Sequence, residues 1–306
     1  MANMYDIVII GGGPGGYSAG LYAARAGLHV AVLEKQAIGG QAIWSENIEN
    51  YPGFDAGIDG LSLSEKMQRG AERFGAEMVT DEVCRVRLMQ TVKIIEGAKQ
   101  TYRAPAVILA TGARHRRLGL DREESFIGNG ISFCAVCDGA FYSGRTVAVI
   151  GGGNSALQEA LLLSDLASHV YVVQNLDFLT GEPALQDQLR ARENVTVLTG
   201  RVVSELLGGE ELTGIRIRKV DDGQIEELAL DGLFIAIGLV PQNQIFAETV
   251  PLDAGGYINA DEHCTANKRG VFVAGDCRRK QIRQVTTAAA DGAVAALAAC
   301  EYLKKA

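Results

Sequence analysis

Tyr5-Asp-Ile-Val-Ile-Ile-Gly11-Gly12-Gly13-Pro14-Gly15-Gly16 and Arg145-Thr-Val-Ala-Val-Ile-Gly151-Gly152-Gly153-Asn154-Ser155-Ala156 are one pattern written twice, 140 positions apart. Each copy opens with a short β-branched run, which reads as a parallel strand buried on both faces. Each then turns on glycine. Tyr17 to Ala26 and Ala156 to Ala167 follow as helices, and His29-Val-Ala-Val-Leu33 and His169-Val-Tyr-Val-Val173 close each copy as a second apolar strand. Strand, glycine turn, helix and strand make a βαβ unit, so the fold class is α/β, with two Rossmann-like dinucleotide-binding domains.

Around these units lie segments that read as antiparallel β appendages. Val83 to Ile95 and Tyr102 to Ala110 attach to the first unit. Val195 to Val203, Leu212 to Val220 and Glu226 to Ile237 attach to the second, with Asp221-Asp222-Gly223 as a hairpin turn. The chain then returns to the style of its beginning: Gly270-Val-Phe-Val-Ala274 is a short buried strand, and an Ala-rich helix runs from about Thr286 to Lys304. The second domain is therefore expected to be inserted into the first, giving residues 1–113, 114–242 and 243–306 as first part, insertion and second part. The crossings fall near Ala113–Arg117 and Val240–Gln244, where Gly, Pro and polar residues gather.

Composition narrows the function. With 306 residues the chain has room for two domains of ordinary size, and 47% hydrophobic residues supply real cores. A net charge of −8 disfavours generic nucleic-acid binding. No apolar run is long enough to span a membrane or to serve as a secretory h-region. Of the six cysteines only Cys134 and Cys137 are close together, so the expectation is a reducing, cytoplasmic setting with one working thiol pair. Cys84, Cys264, Cys277 and Cys300 read as small buried hydrophobes. The four histidines show no ligand spacing, and no second ligand pair accompanies the CxxC, so no metal site is expected.

The chemistry lies in four places. Gly11, Gly13 and Gly16 match G-x-G-x-x-G, which lets the backbone approach a pyrophosphate at a helix N-terminus. Glu34, at the end of the next strand, stands where an acid binds a ribose diol. Gly151, Gly153 and Ala156 match the G-x-G-x-x-A variant, but the position equivalent to Glu34 is Gln174, and Gln174-Asn175-Leu176 offers no arginine. The second loop thus either binds a dinucleotide weakly or is kept for folding alone. Cys134-Ala-Val-Cys137-Asp138 sits between the two loops; its thiols can cycle through a disulfide, with Asp138 moving protons. Gly275-Asp276 ends a buried strand. Asp276 reads either as a helix cap or as acceptor for a ribityl hydroxyl, and a helix N-terminus around Gln284 to Thr286 would then face a flavin ring. Packing is the default for Trp44. The basic clusters Arg114, Arg116, Arg117 and Arg278, Arg279, Lys280, Arg283 read as solvated surface, or as a docking face for an acidic protein.

Taken together, Gly11–Gly16, Gly39-Gly40-Gln41, Ile48-Glu-Asn50-Tyr-Pro-Gly53, Ala110-Thr111-Gly112, Cys134–Gly139, Gly151–Ala156, Ala236-Ile-Gly238 and Gly275-Asp276 through Arg283-Gln284 resemble bacterial-type, low-molecular-weight thioredoxin reductases over nearly the whole chain. The resemblance implies a homodimeric flavoprotein with FAD in the discontinuous domain. It assigns FAD contacts to Gly13, Pro14, Glu34, Lys35, Gly40, Gln41, Asn50, Thr111, Gly112, Gly275, Asp276, Arg283, Gln284 and Val285, with Val83 reading the adenine through its backbone. It implies that Cys137 faces the flavin, that Cys134 attacks the disulfide of thioredoxin or a thioredoxin-like protein, and that Asp138 is the acid–base. The inserted domain would rotate to present nucleotide and dithiol alternately.

The departure is local. The family's NADPH signature, His-Arg-Arg followed by another Arg, is here Gln174-Asn175-Leu176 and Asp177-Phe-Leu-Thr-Gly181. Divergent relatives that look like this take electrons from reduced ferredoxin or another low-potential carrier. The intact Gly151, Gly153, Asn154, Ser155, Ala156 loop points instead to a residual NADH or NADPH site. Two further readings remain open: a dithiol oxidase passing electrons to oxygen, against which Asp138 argues because such relatives often carry His there, and a non-catalytic flavin redox sensor.

Overall fold

A computed structural model describes residues 3–35, 38–45 and 47–305. The chain divides into two compact units, one formed by Met1–Arg114 with Val240–Ala306 and the other by His115–Leu239.

The first unit is built on a five-stranded parallel sheet in the order Val271–Val273, Ala106–Leu109, Ile7–Ile10, Val30–Glu34, Glu77–Thr80. Its central strands are continuous apolar runs because both faces are covered. Strand alternation splits them between two cores. Ile7 and Ile9 pack with the helix side, against Tyr17, Ala19 and Ala23. Val8 and Ile10 face the other way, toward Val86, Ile95 and Tyr102. Those last three belong to a second sheet, in which Thr101–Ala104, Lys93–Gly97 and Val83–Arg87 run antiparallel and Asn3–Met4 adds at the edge.

The second unit repeats the plan. Its parallel sheet runs Ile131–Ser132, Gly232–Ile235, Thr146–Ile150, His169–Val173, Val195–Leu198. Val147 and Val149 face the helices, while Ala148 and Ile150 face Leu206, Ile215 and Ile217. The latter come from an antiparallel sheet of Arg201–Gly208, Leu212–Lys219 and Ile225–Ala229.

Several segments expected to be appended strands divide in two. Val83 to Ile95 is a hairpin, Val83–Arg87 and Lys93–Gly97. Tyr102 to Ala110 breaks at Pro105, and its second half joins the parallel sheet beside Ile7–Ile10. Val195 to Val203 and Glu226 to Ile237 likewise give one strand to each sheet of the second unit. The all-buried halves Ala106–Leu109 and Gly232–Ile235 are parallel, and so is the half-buried Val195–Leu198. The glycine helices start earlier than expected, at Pro14–Arg25 and Asn154–Ser164, because each loop passes directly into helix. The last helix is Val285–Lys305. It lies tightly on Pro14–Arg25: a Cβ on Gly292 would come within 2.2 Å of the Gly15 carbonyl oxygen. No helix among the described residues is long and apolar enough to cross a membrane.

Candidate active site

The first glycine loop leaves its strand through Gly11 at φ 116°, where a Cβ would lie 2.2 Å from the Ala110 carbonyl oxygen. A Cβ on Gly16 would lie 1.8 Å from the Gly11 carbonyl oxygen. Gly13 faces space, its imagined Cβ meeting only the Gly39 carbonyl oxygen at 4.0 Å. The helix Pro14–Arg25 starts here with no side-chain cap and no acid in its first turn. Its first N–H groups, at the positive end of the helix, suit an anion. Beside the loop, the two carboxylate oxygens of Glu34 accept the Gly12 and Lys35 N–H groups, each at 2.8 Å. The Gly39 N–H donates to the Tyr17 hydroxyl at 3.2 Å, and burial pushes that phenol up to about 12, so it stays neutral.

The end of strand Val271–Val273 comes to the same place. A Cβ on Gly15 would sit 3.4 Å from the Gly275 nitrogen. Asp276 follows, its Oδ1 buried and 3.2 Å from Lys280 Nζ but without a hydrogen bond. Burial raises the Asp276 carboxyl, and Lys280 pulls against that rise. Arg283 Nε is also buried without a partner among the described residues, with its guanidinium 4.2 Å from the Tyr257 ring centroid. Asn50 Nδ2 donates to Gln284 Oε1 at 3.3 Å, and the Gln284 N–H is taken by Thr287 Oγ1 at 3.1 Å as the last helix begins. Thr111 Oγ1 donates to Asn243 Oδ1 at 3.1 Å, while Asn243 Nδ2 reaches the Gly256 and Cys277 carbonyls at 2.9 Å. Asn243, wholly buried, carried no motif in the sequence. Val83 is half-buried at the start of its strand, opposite Gly97. Gly112 (φ 68°) and Gly40 (φ 62°) are left-handed turn positions, and Gln41 is exposed on the short turn Gly40–Trp44. The Trp44 side chain falls outside the described residues.

These groups gather at the carboxyl ends of the parallel strands, where such sheets bind ligands. The open face of Gly13, the uncapped helix start, the buried Asp276 carboxylate paired with Lys280 and the unpartnered Arg283 Nε all fit a dinucleotide flavin.

Two expectations need correcting here. The second basic cluster is not solvated surface. Arg278 Nη2 and Lys280 Nζ bond the buried Asp291 at 2.9 and 3.1 Å, and Asp291 also takes the Gly275 N–H at 3.1 Å. These cations hold the Asp276 turn from inside; only Arg279 of that set is exposed. Cys84 is not a buried hydrophobe but an exposed side chain, at the register irregularity between Val83 and Arg85; Cys264, Cys277 and Cys300 are buried. Burial pushes the Cys264 and Cys277 thiols up to about 11, which leaves them unreactive.

In the second unit, Cys134 and Cys137 are joined as a disulfide. They sit where strand Ile131–Ser132 passes into the short helix Ala135–Asp138. The Cys137 N–H donates to Cys134 Sγ at 3.2 Å. Ser132, which the sequence did not single out, is 5% exposed; its hydroxyl donates to Asp138 Oδ2 in a short bond and accepts the Cys134 N–H at 3.1 Å. Between them, Phe133 lies against the Arg117 guanidinium at 4.6 Å and the His115 ring at 4.8 Å. Burial, helped by Arg117, pushes His115 down to about 4, so it is neutral. Val136 and Phe141 are exposed beside the disulfide.

The second glycine loop copies the backbone of the first: Gly151 has φ 133°, and the Thr180 and Gly181 N–H groups bond the Gly152 carbonyl at 2.8 Å. Its side chains differ. Gln174 is buried over Gly152, whose imagined Cβ would meet the Gln174 amide at 2.6 Å. Asn175, Leu176, Asp177 and Phe178 are exposed and bring no cation. Asn154 and Glu182 exchange two hydrogen bonds, at 2.7 and 2.9 Å, and Ser155 is exposed. Among the described residues no group of three or more His, Cys, Asp or Glu could hold a metal ion.

Residues 5–292 match the family model for pyridine nucleotide-disulphide oxidoreductases, and the chain belongs to that family. It is 41% identical over 303 residues to a thioredoxin reductase of Listeria innocua, covering 99% of this chain and 95% of that one. It is 40% identical over 299 residues to a 34.2 kDa protein in a rubredoxin operon of Clostridium pasteurianum, covering 97% of each. The solved thioredoxin reductase of Streptococcus pyogenes superposes with a TM-score of 0.93 at 39% identity, over the whole of both chains. The chain is thus a flavoprotein oxidoreductase with FAD as its cofactor.

Proposed function

We propose that this chain reduces the disulfide of thioredoxin or a thioredoxin-like protein, passing two electrons through Cys134 and Cys137. The observation that carries the reading is the disulfide itself, set at a helix start with Asp138 hydrogen-bonded beside it. FAD, when bound, supplies the electron pair that opens this disulfide. Gly11, Gly13, Pro14, Gly16 and the helix they begin would hold its pyrophosphate, Glu34 and Lys35 its ribose, and Val83 its adenine. Gly40, Gln41, Asn50, Thr111, Gly112 and Gly275 would complete the cradle. Asp276, paired with Lys280, would bond the ribityl chain through its carboxylate, with Arg283, Gln284 and Val285 beside the ring. Cys137 would take the electrons, Cys134 would attack the partner's disulfide, and Asp138 would move the proton. The same reading carries a homodimer working in a reducing cytoplasm.

The donor reading is that ordinary NADPH is not the source and that NADH or reduced ferredoxin is. What supports it is Gln174 lying over Gly152, followed by exposed, uncharged or acidic residues where a 2′-phosphate needs guanidinium groups. Arg114 and Arg279 of the first unit, and separately Arg116 of the second, are the exposed cations of the two basic clusters, and cations of that kind suit an acidic carrier. Gly151, Gly153, Asn154, Ser155 and Ala156 keep the loop geometry that an NADH site would use.

Cys134→Ser tests the core of the reading. The variant should keep its yellow FAD complement and lose thioredoxin reduction by on the order of 10³-fold or more. Full turnover by this variant would sink the proposal.

A further inference from the structure

We propose that Ser132 is a positioning residue of the dithiol site: it orients the Asp138 carboxyl and ties it to the backbone of Cys134. The inference rests on the reductase reading above and deepens it. Ser132 ends a strand whose register against Leu233 and Phe234 is fixed, so its Cβ direction is set by the sheet. A hydroxyl has one proton and two lone pairs. One lone pair receives the Cys134 N–H at 3.1 Å, and the proton is given to Asp138 Oδ2. Phe133, held between His115 and Arg117, fixes the residue in between. The path from Ser132 to Cys134 is therefore pinned by two side chains, and one of them reaches Asp138.

That placement matters to the exchange chemistry. The Cys134 thiolate attacks one sulfur of the partner's disulfide; a new S–S bond forms, the old one breaks, and the departing sulfur carries off the electron pair and takes a proton. The Cys137 thiolate then attacks Cys134 Sγ, the internal disulfide re-forms, and the second partner sulfur leaves and is protonated. Two electrons and two protons pass to the partner in all. A carboxyl that carries one of those protons must stand beside the sulfurs at each stage. The Ser132 hydroxyl, by donating to Asp138 Oδ2, helps to hold the carboxyl in that place.

The test uses the holoenzyme, reduced anaerobically with stoichiometric dithionite and mixed with an oxidised bacterial thioredoxin across about pH 5.5 to 9. Ser132→Ala should retain FAD and lower the limiting rate about tenfold, without changing the thioredoxin concentration for half-saturation. Its pH profile should change, because the carboxyl has lost a hydrogen-bond donor. Ser132→Thr, which keeps a hydroxyl, should recover both rate and profile. In an Asp138→Asn background Ser132→Ala should add nothing. An unchanged rate and profile in Ser132→Ala would overturn the inference, as would a threonine variant as impaired as alanine or an additive loss in the double variant. A wild-type enzyme that leaves thioredoxin oxidised would instead bring down the reductase reading.

Discussion

Glu159 shows how one side chain can set a pH dependence. Its Oε2 is buried without a partner among the described residues, and burial pushes its carboxyl from 4.5 up to about 7. A raised carboxyl binds its proton in the folded state before the unfolded chain does. The stability it contributes is fully present below pH 4.5 and is lost as pH rises through about 7. At ~1.4 kcal/mol per unit the loss is at most about 3.5 kcal/mol. Glu159→Gln should flatten this slope, and denaturant unfolding at pH 5 and pH 8 checks it; a slope that survives the substitution would show that another group sets it. At this scale the sequence was legible where a motif names the residue. Cys134, Cys137, Asp138, Glu34 and Gln174 could all be placed by spacing. Ser132 and Asn243 could not, since a serine at a strand end and a lone asparagine carry no signal until the fold brings their partners to them. Arg278 and Lys280 misled because charge alone does not reveal Asp291, a carboxylate distant in sequence that lets both cations go inside.

The two glycine loops form a matched pair of elements, and they differ at one instructive position. Gly16 has no room for a Cβ, which would lie 1.8 Å from the Gly11 carbonyl; the equivalent position of the second loop is already Ala156. Gly16→Ala should therefore strip FAD from the protein and lower its melting temperature, read from flavin absorbance and a thermal scan. Ala156→Gly should cost only about 1 kcal/mol, the usual penalty of glycine in a helix. A Gly16→Ala protein with full flavin and unchanged melting would mean that the loop relaxes freely. The repeat made these elements readable, because it states the same strand, turn and helix twice. The appended strands were harder. The turn at Met89-Gln90-Thr91-Val92 contains none of the Gly, Pro, Asn or Asp residues that mark a hairpin, so two strands read as one. Ala106–Leu109 was assigned to the wrong sheet because a short apolar run does not say which neighbour it pairs with.

Across the whole molecule, one unit carries the glycine loop and Asp276 turn that we propose hold FAD, and the other a disulfide and a second glycine loop beside which Gln174 is buried. The proposed path runs from FAD to Cys134 and Cys137, and the proposed choice of donor rests on Gln174 and its neighbours. The most direct measurement mixes the oxidised holoenzyme anaerobically, in separate runs, with NADPH, NADH and reduced ferredoxin, follows the flavin absorbance, and then counts the thiols formed on added thioredoxin. The account predicts rapid bleaching and thioredoxin thiols with NADH or reduced ferredoxin, and little of either with NADPH. Rapid bleaching by micromolar NADPH (about the level at which dinucleotide enzymes saturate) would contradict the reading of the second loop, and bleaching that never yields thioredoxin thiols would contradict the path through the disulfide.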